Sequence, residues 1–188
     1  MRHEEFISIL STAEKLKCNT RHADTSSGRR ESVAEHSWRL ALMAMLLEDE
    51  FPTADISRVI KMCLIHDLGE AFTGDIPAFD KTEADSLKEE ELLREWVESF
   101  PQPQRMQFQR LMTEMSELKT EEAKLYKALD KLEAVIQHNE SDIRSWLPLE
   151  YDLQLTYGEE EVKFSPYLTR LKAYINHQTR EKIKREAE

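Results

Sequence analysis

Glycine and proline are scarce in this 188-residue chain, at four and six residues. So few turn-formers exclude a many-turned sandwich or barrel and favour long helices joined by few loops. Cysteine occurs twice, at Cys18 and Cys63, too few for a disulfide framework, and the chain reads as a cytoplasmic protein with reduced thiols. Positive charge is in deficit: 26 Lys and Arg stand against 37 Asp and Glu, a net charge of −11. Nucleic acid and anionic membranes both call for a basic surface, so neither is an expected partner. No run approaches the roughly 20 apolar residues of a membrane span, and Arg2, His3, Glu4 and Glu5 do not fit the apolar start of a signal peptide. What is present, 40% hydrophobic and 34% charged residues, suits one globular domain with a real core.

Periodicity and capping signals predict a helix over 4–16, then a polar, partly basic segment over 17–31. Ser32-Val33-Ala34-Glu35 has the form of a capping box, opening a helix that runs to about Asp49. A third helix is expected from about Ala54 to Leu68, stopped by Gly69. The stretch 72–80, with Gly74 and Pro77, reads as a loop. Polar amphipathic helices follow over 83–100 and 104–118, then a long helix over 120–140. Residues 141–164 look less regular, and Ser165-Pro166 reads as a cap plus first-turn proline opening the last helix. The expected class is all-α, a single domain over 1–188 with five to six core helices and a C-terminal helical extension from about residue 141.

Polar residues on apolar helix faces are the informative anomaly. At ~100° per residue, His36 falls in the stripe Val33, Leu40, Met43, Ala44, Leu47, and Asp67 continues the stripe Ile56, Val59, Ile60, Cys63, Leu64, with His66 beside it. Asp130 flanks the stripe Leu125, Leu129, Leu132, Ile136, next to the small Ala123 and Ala134. Each residue alone has an ordinary explanation: a satisfied core histidine, a solvated acid near a helix end, a surface acid paired with Lys127. Their coincidence points to a divalent cation, because burying carboxylates without one is costly. Imidazole with carboxylate suits Mn, Fe, Co, Ni or Zn.

Glu35-His36, His66-Asp67 within Cys63-Leu64-Ile65-His66-Asp67-Leu68-Gly69-Glu70, and Asp130 within Ala128-Leu129-Asp130-Lys131 resemble the H…HD…D signature of the HD-domain superfamily. The flanking Ser32-Val33-Ala34-Glu35-His36-Ser37-Trp38 and Thr73-Gly74-Asp75-Ile76-Pro77 resemble the HD-domain 5′-deoxynucleotidases. The resemblance spans about residues 16–140. It implies hydrolysis of a (deoxy)nucleoside 5′-monophosphate with a divalent metal (Mn, Co, Fe, Ni, Zn or Mg) held by His36, His66, Asp67 and Asp130. Glu70 then stands near the attacking water as a catalytic residue, Asp75 is a second catalytic acid that also lines the substrate pocket, and Arg21 contacts the phosphate. A Trp of the family is replaced here by His22, a smaller wall for sugar or base that can also hydrogen-bond.

The cluster Lys15, Lys17, Arg21, Arg29 and Arg30 is the basic patch where an anionic phosphate is expected, with Arg29 and Arg30 more simply solvated charges. His3, His138 and His177 lie outside the motif blocks and read as structural or surface residues; Trp38, Trp96 and Trp146 read as core or dimer-contact aromatics. The resemblance also implies a homodimer, for which the apolar residues of the later helices are candidates. Rival readings are the same site acting on a nucleoside triphosphate, cyclic nucleotide or non-nucleotide phosphate, and a sensing module that binds nucleotide without turnover.

Overall fold

The structure, a computed structural model, describes residues 1–186. The described residues form α1 (His3–Ala13), a two-stranded antiparallel hairpin of β1 (Thr20–Asp24) and β2 (Arg30–Ser32), then α2 (Val33–Leu46), α3 (Ile56–Ile65) and α4 (Glu70–Thr73). After these come α5 (Glu83–Glu98), α6 (Gln104–Glu117), α7 (Glu121–Glu140), α8 (Glu150–Thr156) and α9 (Pro166–Glu186). The all-α expectation holds, apart from the hairpin within what reads in sequence as a polar basic segment. Gly28, at φ +80°, turns that hairpin, a backbone conformation that costs glycine little.

Helix α7 is the axis of the fold. It packs against α2 and α3, with β1, α6 and α9 around its remaining sides. Leu125, Ala128, Leu129, Leu132 and Val135 are all sealed from solvent. A helix covered on several sides has no solvated face left for its polar residues, which is why Asp130, Glu133 and Gln137 are also buried.

The capping box forms as expected: the Glu35 amide donates to Ser32 Oγ at 3.2 Å and the Ser32 amide to Glu35 Oε2 at 2.9 Å. This fixes the start of α2, and so the height at which His36 enters the core. In α3 the buried face is Ile56, Val59, Met62, Cys63 and Ile65, whereas Leu64 is 50% exposed.

Gly69 does not stop a helix by a left-handed turn. Its backbone stays right-handed, at φ −60° and ψ −32°, and the chain carries on through a turn into α4. The glycine is required by α5: a Cβ there would lie 2.5 Å from Glu89 Cγ and 3.2 Å from the Glu89 carbonyl. The stretch after 140 is more ordered than the sequence suggests. It folds into a 3₁₀ turn at Ile143–Ser145, then α8, then the turn leading to α9.

Candidate metal centre and its cleft

Helix α2 delivers His36, the turn after α3 delivers His66 and Asp67, and α7 delivers Asp130. All four meet. His36 Nε2 lies 3.2 Å from His66 Nε2, 3.3 Å from Asp130 Oδ1 and 3.9 Å from Asp67 Oδ2. His66 Nε2 is 3.0 Å from Asp67 Oδ2 and 3.6 Å from Asp130 Oδ1.

The far nitrogen of each ring fixes its tautomer. His66 Nδ1–H donates to the Cys63 carbonyl at 2.8 Å, which can only accept. His36 Nδ1–H donates to the carboxylate of Glu133. Neutral rings so held turn two Nε2 lone pairs toward each other, beside two carboxylates. His36, His66 and Asp67 hold ligand atoms all within 4.8 Å of one another, with Asp130 Oδ1 bordering both rings; acceptors so crowded with no donor among them repel, and a proton or a cation there relieves the repulsion. Burial alone would depress the His66 pKa, yet Asp67 and Asp130 push it up to about 10. The field that traps a proton there also attracts a divalent cation, and two imidazoles with two carboxylates suit Mn, Fe, Co, Ni or Zn. The second oxygen of Asp130 accepts from Lys127 Nζ at 2.9 Å, so Asp130 both serves the cluster and makes the lysine pair.

Glu31, His36 and Glu133 also cluster closely enough to suggest a metal site. Arg21 NH1 already lies 3.3 Å from Glu31 and 3.4 Å from Glu133, so a guanidinium and an imidazole N–H answer these acids. Burial and the charge of Glu133 push Glu31 up to about 7, against the pull of Arg21.

Glu70 is 4% exposed, and its Oε2 finds no partner among the described residues. Burial first, then the charges of Asp67 and Asp75, push its carboxyl up to about 10. Asn19 Nδ2 donates to the Glu70 carbonyl at 2.5 Å, tying α4 to the segment before β1. Asp75 follows Gly74, which sits at φ +76°, and reaches to 3.9 Å from Arg21 Nε. Burial raises its pKa and Arg21 opposes the rise.

Of the basic patch only Arg21 turns inward to this site. Arg29 pairs with Glu35 at 2.5 Å on the surface, Arg30 faces Asp24 at 3.5 Å, and Lys15 lies over the Phe72 ring.

Arg21, His22 and Asp75 line a cleft closed by Phe79, His138, Glu150 and Gln154, among others. His138, which sequence alone places outside the site, is therefore part of its wall: its Nε2 donates to Glu150 Oε1 at 2.8 Å. Glu133 also belongs to the site, fully buried although a two-faced helical wheel turns it to solvent, because α7 is covered on several sides. Glu150 and Gln154 carried no signal in the sequence, because they precede Pro166 in a stretch with weak periodicity.

The geometry matches a known architecture. The family model described as HD domain matches residues 13–172. The chain belongs to the HD domain family. Among curated relatives of this HD protein, the 5′-deoxynucleotidase HDDC2 of Mus musculus is 35% identical over 112 residues, covering 58% of this chain and 55% of the relative. The chain thus spans about half the length of that relative. The namesake from Dictyostelium discoideum is 28% identical over 181 residues and covers 92% of this chain and 90% of its own length. Among solved structures, a protein described as a predicted metal-dependent phosphohydrolase, from Magnetospirillum magnetotacticum, superposes with a TM-score of 0.80 at 28% identity. That superposition covers 98% of this chain and 94% of that one.

Proposed function

We propose that this chain is a single-domain, metal-dependent 5′-nucleotidase that hydrolyses (deoxy)nucleoside 5′-monophosphates to nucleoside and phosphate. The observation that carries the reading is the convergence of His36, His66, Asp67 and Asp130 on one point, with Arg21 at the neighbouring cleft. The 5′-deoxynucleotidase names of the curated relatives support the substrate class.

In this reading His36, His66, Asp67 and Asp130 hold the cation. A divalent ion there supplies Lewis-acid charge for the phosphoryl group and makes water more acidic. Arg21 binds the phosphate, and Glu31, Glu133 and Asp75 keep its guanidinium in place. Glu70, buried with Oε2 free, holds a proton where it can pass to the leaving 5′ oxygen, and it takes one back from the attacking water. The ring of His22 stands edge-on to Phe79 at 5.5 Å and walls the sugar side of the cleft.

We read the assembly as a homodimer. The exposed apolar residues concentrate on α1 and α2, including Phe6, Ile7, Leu10, Trp38, Met45 and Leu46, instead of on the later helices, and such patches favour self-association. Both cysteines are free thiols, which supports a reducing, cytoplasmic setting. No helix among the described residues is long and apolar enough to cross a membrane.

The test is phosphate release after chelation and re-addition of Mn, Co, Mg or Zn, from 5′- and 3′-monophosphates, triphosphates and cyclic nucleotides. Metal-dependent release from 5′-monophosphates, deoxy or ribo, is expected. Release confined to another ester, or none at all with metal still bound, would overturn the proposal.

A further inference from the structure

The reaction above works through the cleft on one side of the metal centre and leaves the other side unused. Helix α7 shows both. Tyr126, Asp130, Ala134 and His138 recur every fourth residue along it, a spacing of roughly 6 Å on one helix face. Ala134 and His138 line the cleft that holds Arg21. Tyr126 lines a second hollow of about 650 Å³, a groove between α5 and α6 that reaches His66. Asp130 lies between the two, so the centre opens on both sides.

The cations of this groove are spent within the protein. Lys81 Nζ donates to Glu89 Oε2 at 2.7 Å, and Arg94 NH2 to Glu90 Oε1 at 2.6 Å. Tyr126 differs. It is 6% exposed, and its hydroxyl makes no hydrogen bond among the described residues. Nor is that oxygen one of the unpartnered atoms sealed from solvent. The little surface that Tyr126 keeps therefore includes the hydroxyl, and the groove is the hollow that it lines. The ring centre lies 6.3 Å from that of His66 and 5.9 Å from Lys127 Nζ, which donates to Asp130. Burial raises the phenol's pKa, Lys127 opposes the rise, and Asp130 and Asp67 add to it, so the hydroxyl stands in the field of the metal cluster. A phenol keeps its proton at neutral pH. What Tyr126 presents is a donor without an acceptor, and the strongest acceptors this site would meet are phosphoryl oxygens.

We propose that Tyr126 is a second phosphate-binding residue: its O–H donates to a phosphoryl oxygen from the groove side, while Arg21 holds the phosphate from the cleft side. In phosphoryl transfer the charge is spread over three equatorial oxygens, and catalysis is mostly positioning plus electrostatic stabilisation. A fixed donor on the side away from Arg21 serves both ends. Every nucleotide carries the phosphate, so this contact brings no preference for base or sugar. The inference rests on the nucleotidase reading for the ester it handles.

The experiment titrates inorganic phosphate into the metal-loaded wild type and Tyr126→Phe by calorimetry. The variant keeps the ring, and with it the packing on His66, and loses one hydroxyl. Phosphate is expected to bind about 10–100-fold more weakly to the variant, the range for a hydrogen bond to a charged group, with Mn²⁺ and deoxyadenosine bound as in the wild type. The kcat/KM values for dAMP and for p-nitrophenyl phosphate are expected to fall together. Equal phosphate affinity in the two proteins would overturn the proposal. So would weakened Mn²⁺ binding in the variant, because the phenol would then act on the metal ligands instead of on phosphate. A wild type that hydrolyses no nucleotide, yet loses phosphate affinity with the hydroxyl, would sink the nucleotidase reading and leave the role of Tyr126 standing. Turnover of dAMP at equal kcat/KM by both proteins would do the reverse.

Discussion

Replacing Glu133 with Gln changes one oxygen for one NH₂ at a fully buried position, yet that carboxylate is what makes His36 a donor at Nδ1. If the Gln carbonyl faces His36, a charge-assisted bond becomes a neutral one of about half the strength. If the NH₂ faces it, Nδ1 must accept, the proton moves to Nε2, and the ring presents N–H instead of a lone pair to the cation. Arg21 keeps Glu31 at 3.3 Å but loses a charge at 3.4 Å. Groups that orient a metal-ligating histidine in this way are typically worth 10–100-fold in metal affinity, or about 1.4–2.7 kcal/mol. Titration of the chelated protein with Mn²⁺ by calorimetry measures it, with circular dichroism as the check on folding. Glu133→Gln is expected to weaken Mn²⁺ binding by about 10–100-fold and to recover much of its turnover at high metal. A folded variant that binds Mn²⁺ as tightly as the wild type would refute the tautomer argument.

Glu70→Gln removes the proton carrier without touching a cluster ligand; turnover is expected to fall by about 10²–10⁴-fold with metal content unchanged, read by phosphate release and elemental analysis. Gly69→Ala forces α5 away from α4, since the new Cβ would meet Glu89 at 2.5 Å; overpacking of this kind costs about 1–3 kcal/mol, seen as a lower thermal midpoint. Burial depresses the Lys172 amine to about 8, against about 10.4 in an unfolded chain. Between those values the unfolded state binds more protons, so stability rises with pH, by at most about 3 kcal/mol. His66 and Glu70 titrate in the same window with the opposite sign, so the test is the difference between wild type and Lys172→Met: denaturant midpoints at pH 7.5 and 10 are expected to shift in favour of the wild type as pH rises.

The legible parts of this protein were those written in local pattern. Ser32 and Glu35 announce the start of α2, and His36, His66, Asp67 and Asp130 interrupt apolar stripes whose period can be counted. Gly69 shows where local rules mislead. A glycine near a helix end suggests a left-handed cap, but its need here arises from a helix that starts 14 residues later. Glu133 was hidden because a two-faced wheel assigns it to solvent, whereas α7 is covered on several sides. Glu150 and Gln154 lie in a segment with no strong period, and only the packing of α8 on α9 brings them to the cleft. His138 is likewise unremarkable in sequence until Glu150 is beside it.

Metal content and turnover of Asp67→Ala, set against the wild type, test the central claim most directly. One divalent ion per chain in the wild type, with ion and phosphate release both lost in the variant, is the predicted result. Phosphate release that survives in Asp67→Ala would contradict it and place the reaction elsewhere in the molecule.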